Sequence, residues 1–137
     1  MTQKTVYVAG RVGDDLSEIQ AVITRIQDMN FAITYDWTRN QEGIRKPYLD
    51  FAESNMPYAM KMRNAADTCD VFVLLPTTDI LGALIELGVA IGSVRQRPGK
   101  IIYVVCDRAQ LRQSIFYTLE EVVVLDTLEE LYEALAL

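Results

Sequence analysis

From Leu81 to Gly92 the chain reads LGALIELGVAIG, in which every position but one is apolar or glycine, and the exception is Glu86. A carboxylate in so apolar a helix must be paired, protonated or chemically employed, because burying an unpaired charge costs roughly several kcal/mol. The chain contains no histidine, so its commonest general base and metal ligand is missing and carboxylates and tyrosines must carry any proton chemistry. Its two cysteines, Cys69 and Cys106, flank predicted strands, and neither a CxxC nor a Cys/His spacing occurs. Reduced, buried thiols in a cytoplasmic protein without a metal are therefore expected.

Further candidates stand where apolar runs end. Asp36 and Trp37 follow the second run; a carboxylate beside an aromatic plane suits recognition of a sugar hydroxyl and a base. The alternative for Trp37 is a cover over one end of the sheet. Gly10 and Arg11 open a glycine-containing loop, either one whose backbone approaches a ligand or a tight turn. It spells neither GxGxxG nor GxxxxGK[ST], and Asp14 and Asp15 disfavour tight phosphate binding there. Asp79 ends the polar turn TTD, directly before the segment that carries Gly82 and Glu86.

The elements that must position these residues are legible as periods. Thr5 to Ala9, closed by Gly10, is a short β-branched strand; Val71 to Leu75, ended by Pro76, and Lys100 to Cys106 read as strands buried on both faces. Leu16, Ile19, Ile23, Ile26 and Met29 recur at helical spacing, with Asn30 as the stop. A second strand is expected over Phe31 to Tyr35, then a long loop or flap over Arg39 to Pro57 with a helical start at Tyr48 to Ala52. A helix follows over Tyr58 to Thr68, with Met60 and Met62 as gap-filling core residues. Asp107 to Gln113 reads as a short helix, Val122 to Leu125 as a last strand, and Thr127 to Ala136 as a closing helix with Leu128, Leu131 and Leu135 inward. Strands alternating with helices imply an α/β layer fold with a mainly parallel sheet, and a site in the crevice at the carboxyl ends of the strands. That geometry draws Gly10, Asp36, Trp37, Asp79, Gly82 and Glu86 toward one another.

Composition agrees. At 137 residues, 50% hydrophobic and 23% charged, the chain suits one domain, residues 1–137, with its own core. The net charge of −6 and the lack of a basic stripe exclude a nucleic-acid polymer as partner. No apolar run is long enough to span a membrane, and the polar start argues against a signal peptide, so neither a membrane nor export is expected.

The elements VYVAG (Val6 to Gly10), an aspartate after the second strand, CDVFVLLP (Cys69 to Pro76) and LGALIELGVAIG (Leu81 to Gly92) followed by GKIIYVV resemble the nucleoside 2-deoxyribosyltransferases and the related 2'-deoxynucleoside 5'-monophosphate N-glycosidases. The most specific part is glycine, three residues, then Glu-Leu-Gly. The resemblance implies a flavodoxin-like, Rossmann-like three-layer fold with a five-stranded sheet, a homodimer or larger homo-oligomer, and no cofactor. It also implies that Glu86 is the nucleophile on a sugar's anomeric carbon, with Tyr7 beside it, and that the substrate is a small nucleoside or nucleotide. Gly10, Arg11, Asp36, Trp37, Asp79 and Gly82 are then its binding residues. The family's helix aspartate aligns near Met62, where the nearest acid is Asp67, and Asp79 stands one residue farther from the glutamate than is usual. The first loop, with Arg11 followed by Gly13, Asp14 and Asp15, favours a nucleoside over a monophosphate. Two functions are carried forward: cleavage or transfer of the N-glycosidic bond of a 2'-deoxynucleoside, and a non-catalytic nucleoside- or nucleotide-binding module, a sensor or sequestering protein, in which Glu86 pairs structurally with Tyr7 or Arg11. A flavodoxin is a poorer third, since the first loop lacks a Ser/Thr-rich phosphate cradle.

Overall fold

The computed structural model describes residues 3–10, 16–76, 80–107 and 109–137. The apolar runs form five strands, β1 (Thr5–Gly10), β2 (Ala32–Ile33), β3 (Val71–Leu75), β4 (Ile101–Val105) and β5 (Val122–Leu125). All pair in parallel in the order β2-β1-β3-β4-β5. Four α-helices cover the sheet on both faces: α1 (Ser17–Asp28), α2 (Ala52–Thr68), α3 (Leu81–Ser93) and α4 (Leu128–Ala136). This is the three-layer, flavodoxin-like α/β architecture expected from the alternation of periods.

Strand alternation assigns each core side chain to a layer. A Cβ on Gly10 would lie 2.8 Å from Cδ1 of Ile19, so the even positions of β1, Val6 and Val8, face α1. There they meet Ile19, Val22, Ile23 and Ile26, all buried. Helix α4 shares that layer, the Arg25 guanidinium lying 5.3 Å from the Tyr132 ring centre. The odd positions, Tyr7 and Ala9, face α2 and α3 together with Phe72 and Leu74 of β3. Tyr7 and Phe72 are in register, with ring centroids 6.0 Å apart.

Two boundaries differ from expectation. Strand β2 is two residues long rather than five, because Asp36 accepts from the amide of Thr38 and caps a 3-10 turn over Trp37–Arg39 that pulls the chain off the sheet edge. Helix α2 starts at Ala52, preceded by a 3-10 turn over Tyr48–Phe51, and runs through Pro57. Proline ordinarily breaks a helix interior; Pro57 stands on an exposed flank in the second turn, where the loss is one hydrogen bond. The expected 39–57 loop is accordingly shorter, and Met62 packs on the core while Met60 is exposed. The stop at Asn30 holds, its φ of 71° being the left-handed value that asparagine tolerates.

One polar group organises the edge where the strands begin. The ammonium of Lys100 is buried and donates to the carbonyls of Ala66 (2.7 Å) and Asp67 (2.9 Å) and to Oγ of Ser93 (2.6 Å). It thus closes the carboxyl end of α2 and clamps α3 to it. Burial holds its pKa below the usual lysine range, partly offset by the Cys69 thiol and Asp67 nearby. Lys100→Met keeps the stem but orphans these acceptors, so it is expected to lower unfolding stability by about 2–4 kcal/mol, read from the urea midpoint.

Candidate active site

The strand order reverses between β1 and β3, and in open parallel sheets that reversal leaves a crevice beyond the carboxyl ends of the strands. Helix α3 packs against both strands. Ala83, Leu87 and Ala90 are its buried face; Leu81, Ile85, Gly88 and Gly92 are its exposed one. Glu86 lies on the flank between them, in line with Gly82 one turn earlier and Ser93 two turns later. Ser93 is held by Lys100 to the end of α2, so that clamp also fixes how α3 is rotated and where Glu86 points.

Glu86 is half-buried as a residue, but its Oε2 is fully buried and has no hydrogen-bond partner among the described residues. The same is true of the Tyr7 hydroxyl, on a side chain 0% exposed. The two groups interact without completing a hydrogen bond of regular geometry. Burial pushes the Glu86 carboxyl up from 4.5 to about 7, while Tyr7, as a hydrogen-bonding neighbour, pulls it back down. Burial likewise drives the Tyr7 phenol far above its ordinary range, and the charge of Glu86 adds to the effect. A carboxyl poised near neutrality, with a phenol kept protonated beside it, can act as nucleophile or as acid according to pH.

Gly82 has neither a packing reason nor a backbone reason to be glycine: its φ is not positive, and a Cβ there would meet nothing within 4 Å among the described residues. Among the described residues, its effect is to leave the flank beside Glu86 open. Gly10 is different. Its Cβ would collide with Ile19 and come within 3.3 Å of the Leu75 carbonyl, so close packing of β1 against α1 and β3 accounts for it. Asp36 spends its carboxylate on the amide and hydroxyl of Thr38 and on Nε of Arg39, 3.0 Å away. Trp37 is 2% exposed and its indole N–H donates to the Val8 carbonyl at 2.7 Å, so it covers the sheet end. Both would have to move to meet a ligand. Arg11 and Asp79 lie outside the described residues.

Asp67 is at the wrong end of α2 to serve the site: its carbonyl accepts from Lys100, at the edge where the strands begin. Two residues that sequence reasoning passed over stand beside Tyr7. Thr34 follows β2 in register with Tyr7 and has a buried, unpartnered hydroxyl. The Tyr35 hydroxyl accepts from Asn40 at 2.9 Å and acts electrostatically on Tyr7. Nothing in the sequence marked Thr34: its place beside Tyr7 follows only once the pairing of Val6 with Ile33 is known.

Among the described residues no three His, Cys, Asp or Glu side chains gather as a metal would require, and no helix is long and apolar enough to cross a membrane. Two open hollows, about 400 Å³ beside Leu49 to Ser54 and about 330 Å³ between Gln3, Asp70 and Pro98, are lined by described residues, and neither reaches Glu86. The crevice beyond the strands is preferred to them because it lies at the switch point of the sheet and holds buried polar atoms without partners among the described residues.

No protein-family model matches the chain, and no curated protein sequence matches it. Its structure is similar to that of the CMP N-glycosidase BcmB of Clostridium botulinum, with a TM-score of 0.59 and 18% identity over 98% of this chain and 100% of that one. At that identity the likeness bears on the fold, and over nearly the whole of both chains it is the fold described above.

Proposed function

We propose that the protein cleaves or transfers the N-glycosidic bond of a small nucleoside or nucleotide, with a 2'-deoxynucleoside as the expected substrate and a covalent sugar–Glu86 ester as intermediate. The observation that carries this reading is the buried carboxylate of Glu86, unpaired and set beside the Tyr7 phenol. The fold neighbour is itself named as an N-glycosidase acting on CMP, which supports the general class of bond.

The chemistry follows from the groups present. An oxygen of Glu86 forms a bond to C1' as the C1'–N bond breaks, and the bonding pair leaves with the base, which takes up a proton from an acid. Water or a second base then bonds to C1' and gives up a proton to solvent as the ester C–O bond breaks, and Glu86 returns as carboxylate. Tyr7, remaining protonated, is suited to hold the carboxylate's rotamer by donating to it, which favours the charged form that attacks. The same anionic oxygen stabilises the oxocarbenium-like state between the two bonds.

A non-catalytic binding module is the second reading, and one observation favours it. The helix aspartate expected as a further acid is replaced by Met62, and Asp67 lies at the opposite edge of the sheet. Ligand binding without release of base would decide for it.

An oligomer is part of the proposal. Leu81 and Ile85 on α3 are 79% and 71% exposed, and Met56 and Met60 on α2 are exposed as well. The two helices pack together, so these side chains lie on the outer surface of one layer. A second copy of the chain, its own α2 and α3 laid against them, is the expected cover.

Glu86→Gln and Glu86→Ala are expected to abolish base release from deoxynucleosides, by about 10³-fold or more, with the fold retained; free base measured by chromatography checks this. The folded pKa of about 7 lies above the ordinary 4.5, so the native carboxyl costs nothing below pH 4.5 and destabilises increasingly as pH rises to 7. Glu86→Gln should therefore match the native protein in stability at pH 4 and exceed it at pH 8, by of the order of 3 kcal/mol from this shift.

Because the nucleophile is the carboxylate, kcat/KM should fall about tenfold per pH unit below its apparent pKa near 7. Tyr7→Phe removes the group that lowers that pKa, so the acidic limb should move to higher pH; an unmoved limb would assign Tyr7 to packing alone. Light scattering should find a dimer or larger oligomer in the native protein and a monomer in Ile85→Glu.

A further inference from the structure

Three side-chain polar atoms among the described residues are buried without a hydrogen-bond partner: the Tyr7 hydroxyl, Oε2 of Glu86 and Oγ1 of Thr34. They come from β1, from α3 and from the residue after β2, far apart in sequence. An unsatisfied buried polar atom costs about 1–3 kcal/mol, and native proteins keep few of them. That Tyr7 and Glu86 act on each other, and that strand register sets Thr34 beside Tyr7, is therefore informative. Thr34 donates its amide to the Val6 carbonyl at 3.0 Å, which continues the pairing of Thr5 with Ala32 and Val6 with Ile33. The register sets Thr34 level with Tyr7 on the neighbouring strand, and side chains level in a parallel pair share a face. Thr34 is thus on the side of the sheet that carries α2, α3 and Glu86.

Tyr7 and Glu86 at least act on each other; the Thr34 hydroxyl has no hydrogen-bond partner among the described residues. The side chains on its face of β1 and β3 are the rings of Tyr7 and Phe72 and the apolar Ala9 and Leu74. A hydroxyl both donates and accepts, so its natural complement is another hydroxyl. The ring hydroxyls of a nucleoside stand one carbon (2') and two carbons (3') from the anomeric carbon that Glu86 is to attack, and the expected 2'-deoxynucleoside keeps only the 3'.

We propose that Thr34 is a substrate contact, its side-chain hydroxyl, buried in the free protein and uncovered when the sugar enters, bonding a ring hydroxyl of the bound sugar, and so a determinant of which sugars the site accepts. This rests on the reading of Glu86 as the group that addresses the sugar. A site built to bond a hydroxyl discriminates against the analogue that lacks it, because the protein's own hydroxyl is then left buried and unpaired.

The test uses the full chain carrying Glu86→Gln, which holds a nucleoside without consuming it, with and without Thr34→Val. Binding of a ribonucleoside, its 2'-deoxy analogue and its 3'-deoxy analogue is measured by calorimetry. Thr34→Val should weaken binding roughly tenfold for every analogue that carries the bonded hydroxyl and leave the one that lacks it unchanged, which also identifies the hydroxyl. Thr34→Ser, which restores the hydroxyl, should bind as Thr34 does, and Thr34→Ala gives a second hydroxyl-free variant should valine disturb the fold. Equal weakening of all three analogues, or none, overturns the assignment of Thr34 while leaving Glu86 untouched. Absence of nucleoside binding before Thr34 is altered, together with no base release by the native chain, overturns both readings.

Discussion

A carboxylate taken out of water with no cation beside it among the described residues is the constraint around which this molecule is arranged. Burial lifts the Glu86 pKa to about 7, and the neighbouring Tyr7 hydroxyl only partly opposes the shift. A leucine at that position would pack without any such cost, so the stability of the fold does not ask for an acid there. The remaining features make the placement possible: α3 is apolar on its sheet-facing side, Tyr7 reaches it from β1, and the buried Lys100 ammonium locks Ser93, on the same helix flank, to the end of α2. The sheet's two edges have divided labour. At the edge where strands begin, Lys100 and its acceptors satisfy one another; toward the site, three buried polar atoms lack partners among the described residues.

Topology explains why residues so distant in sequence share one place. With β1 and β3 adjacent at the centre, the odd positions of β1 are flanked by β2 on one side and β3 on the other, under the helix that follows β3. Tyr7 therefore meets Phe72 by register, Thr34 by extension of register, and Glu86 across the layer. Only a right-handed crossover puts α3 over that seam. A single substitution in the middle of β1 accordingly touches three elements at once, as one on the exposed face of α4 would not.

Much of this was legible in the sequence because periodicity is a strong signal. The runs TVYVA, VFVLL and IIYVV gave their strands almost to the residue, and Glu86 stood out as the lone charge in an apolar helix. What misled was local chemistry overridden by context. Phe31 to Tyr35 has strand composition, but Asp36 captures the amide of Thr38 and ends β2 early. Pro57 has the mark of a breaker, yet near the start of α2 its missing donor matters little. Trp37 beside an aspartate invited a stacking role, whereas its indole spends its donor on Val8 and its ring lies in the core. Thr34 could not be singled out at all, since an ordinary threonine acquires meaning only when the fold buries its hydroxyl without a partner among the described residues.

One further demand comes from the chemistry rather than the coordinates. A carboxyl with a pKa near 7 can donate a proton to a departing base or attack the sugar as an anion, but it cannot do both in one step. If Glu86 attacks, the proton for the base must come from elsewhere, and Tyr7 holds its own too tightly to give it up, since burial and the adjacent carboxylate both disfavour the phenolate. Asp36 is committed to Thr38 and Arg39, and Asp67 is at the far edge. The acids that remain near the carboxyl ends of β1 and β3 by sequence position are Asp14, Asp15 and Asp79. A base whose ring nitrogen accepts a proton from water readily would need none of them, whereas a poorer leaving group would. The dependence of rate on the basicity of the departing base is therefore the property that separates a site with a second acid from one that relies on Glu86 alone.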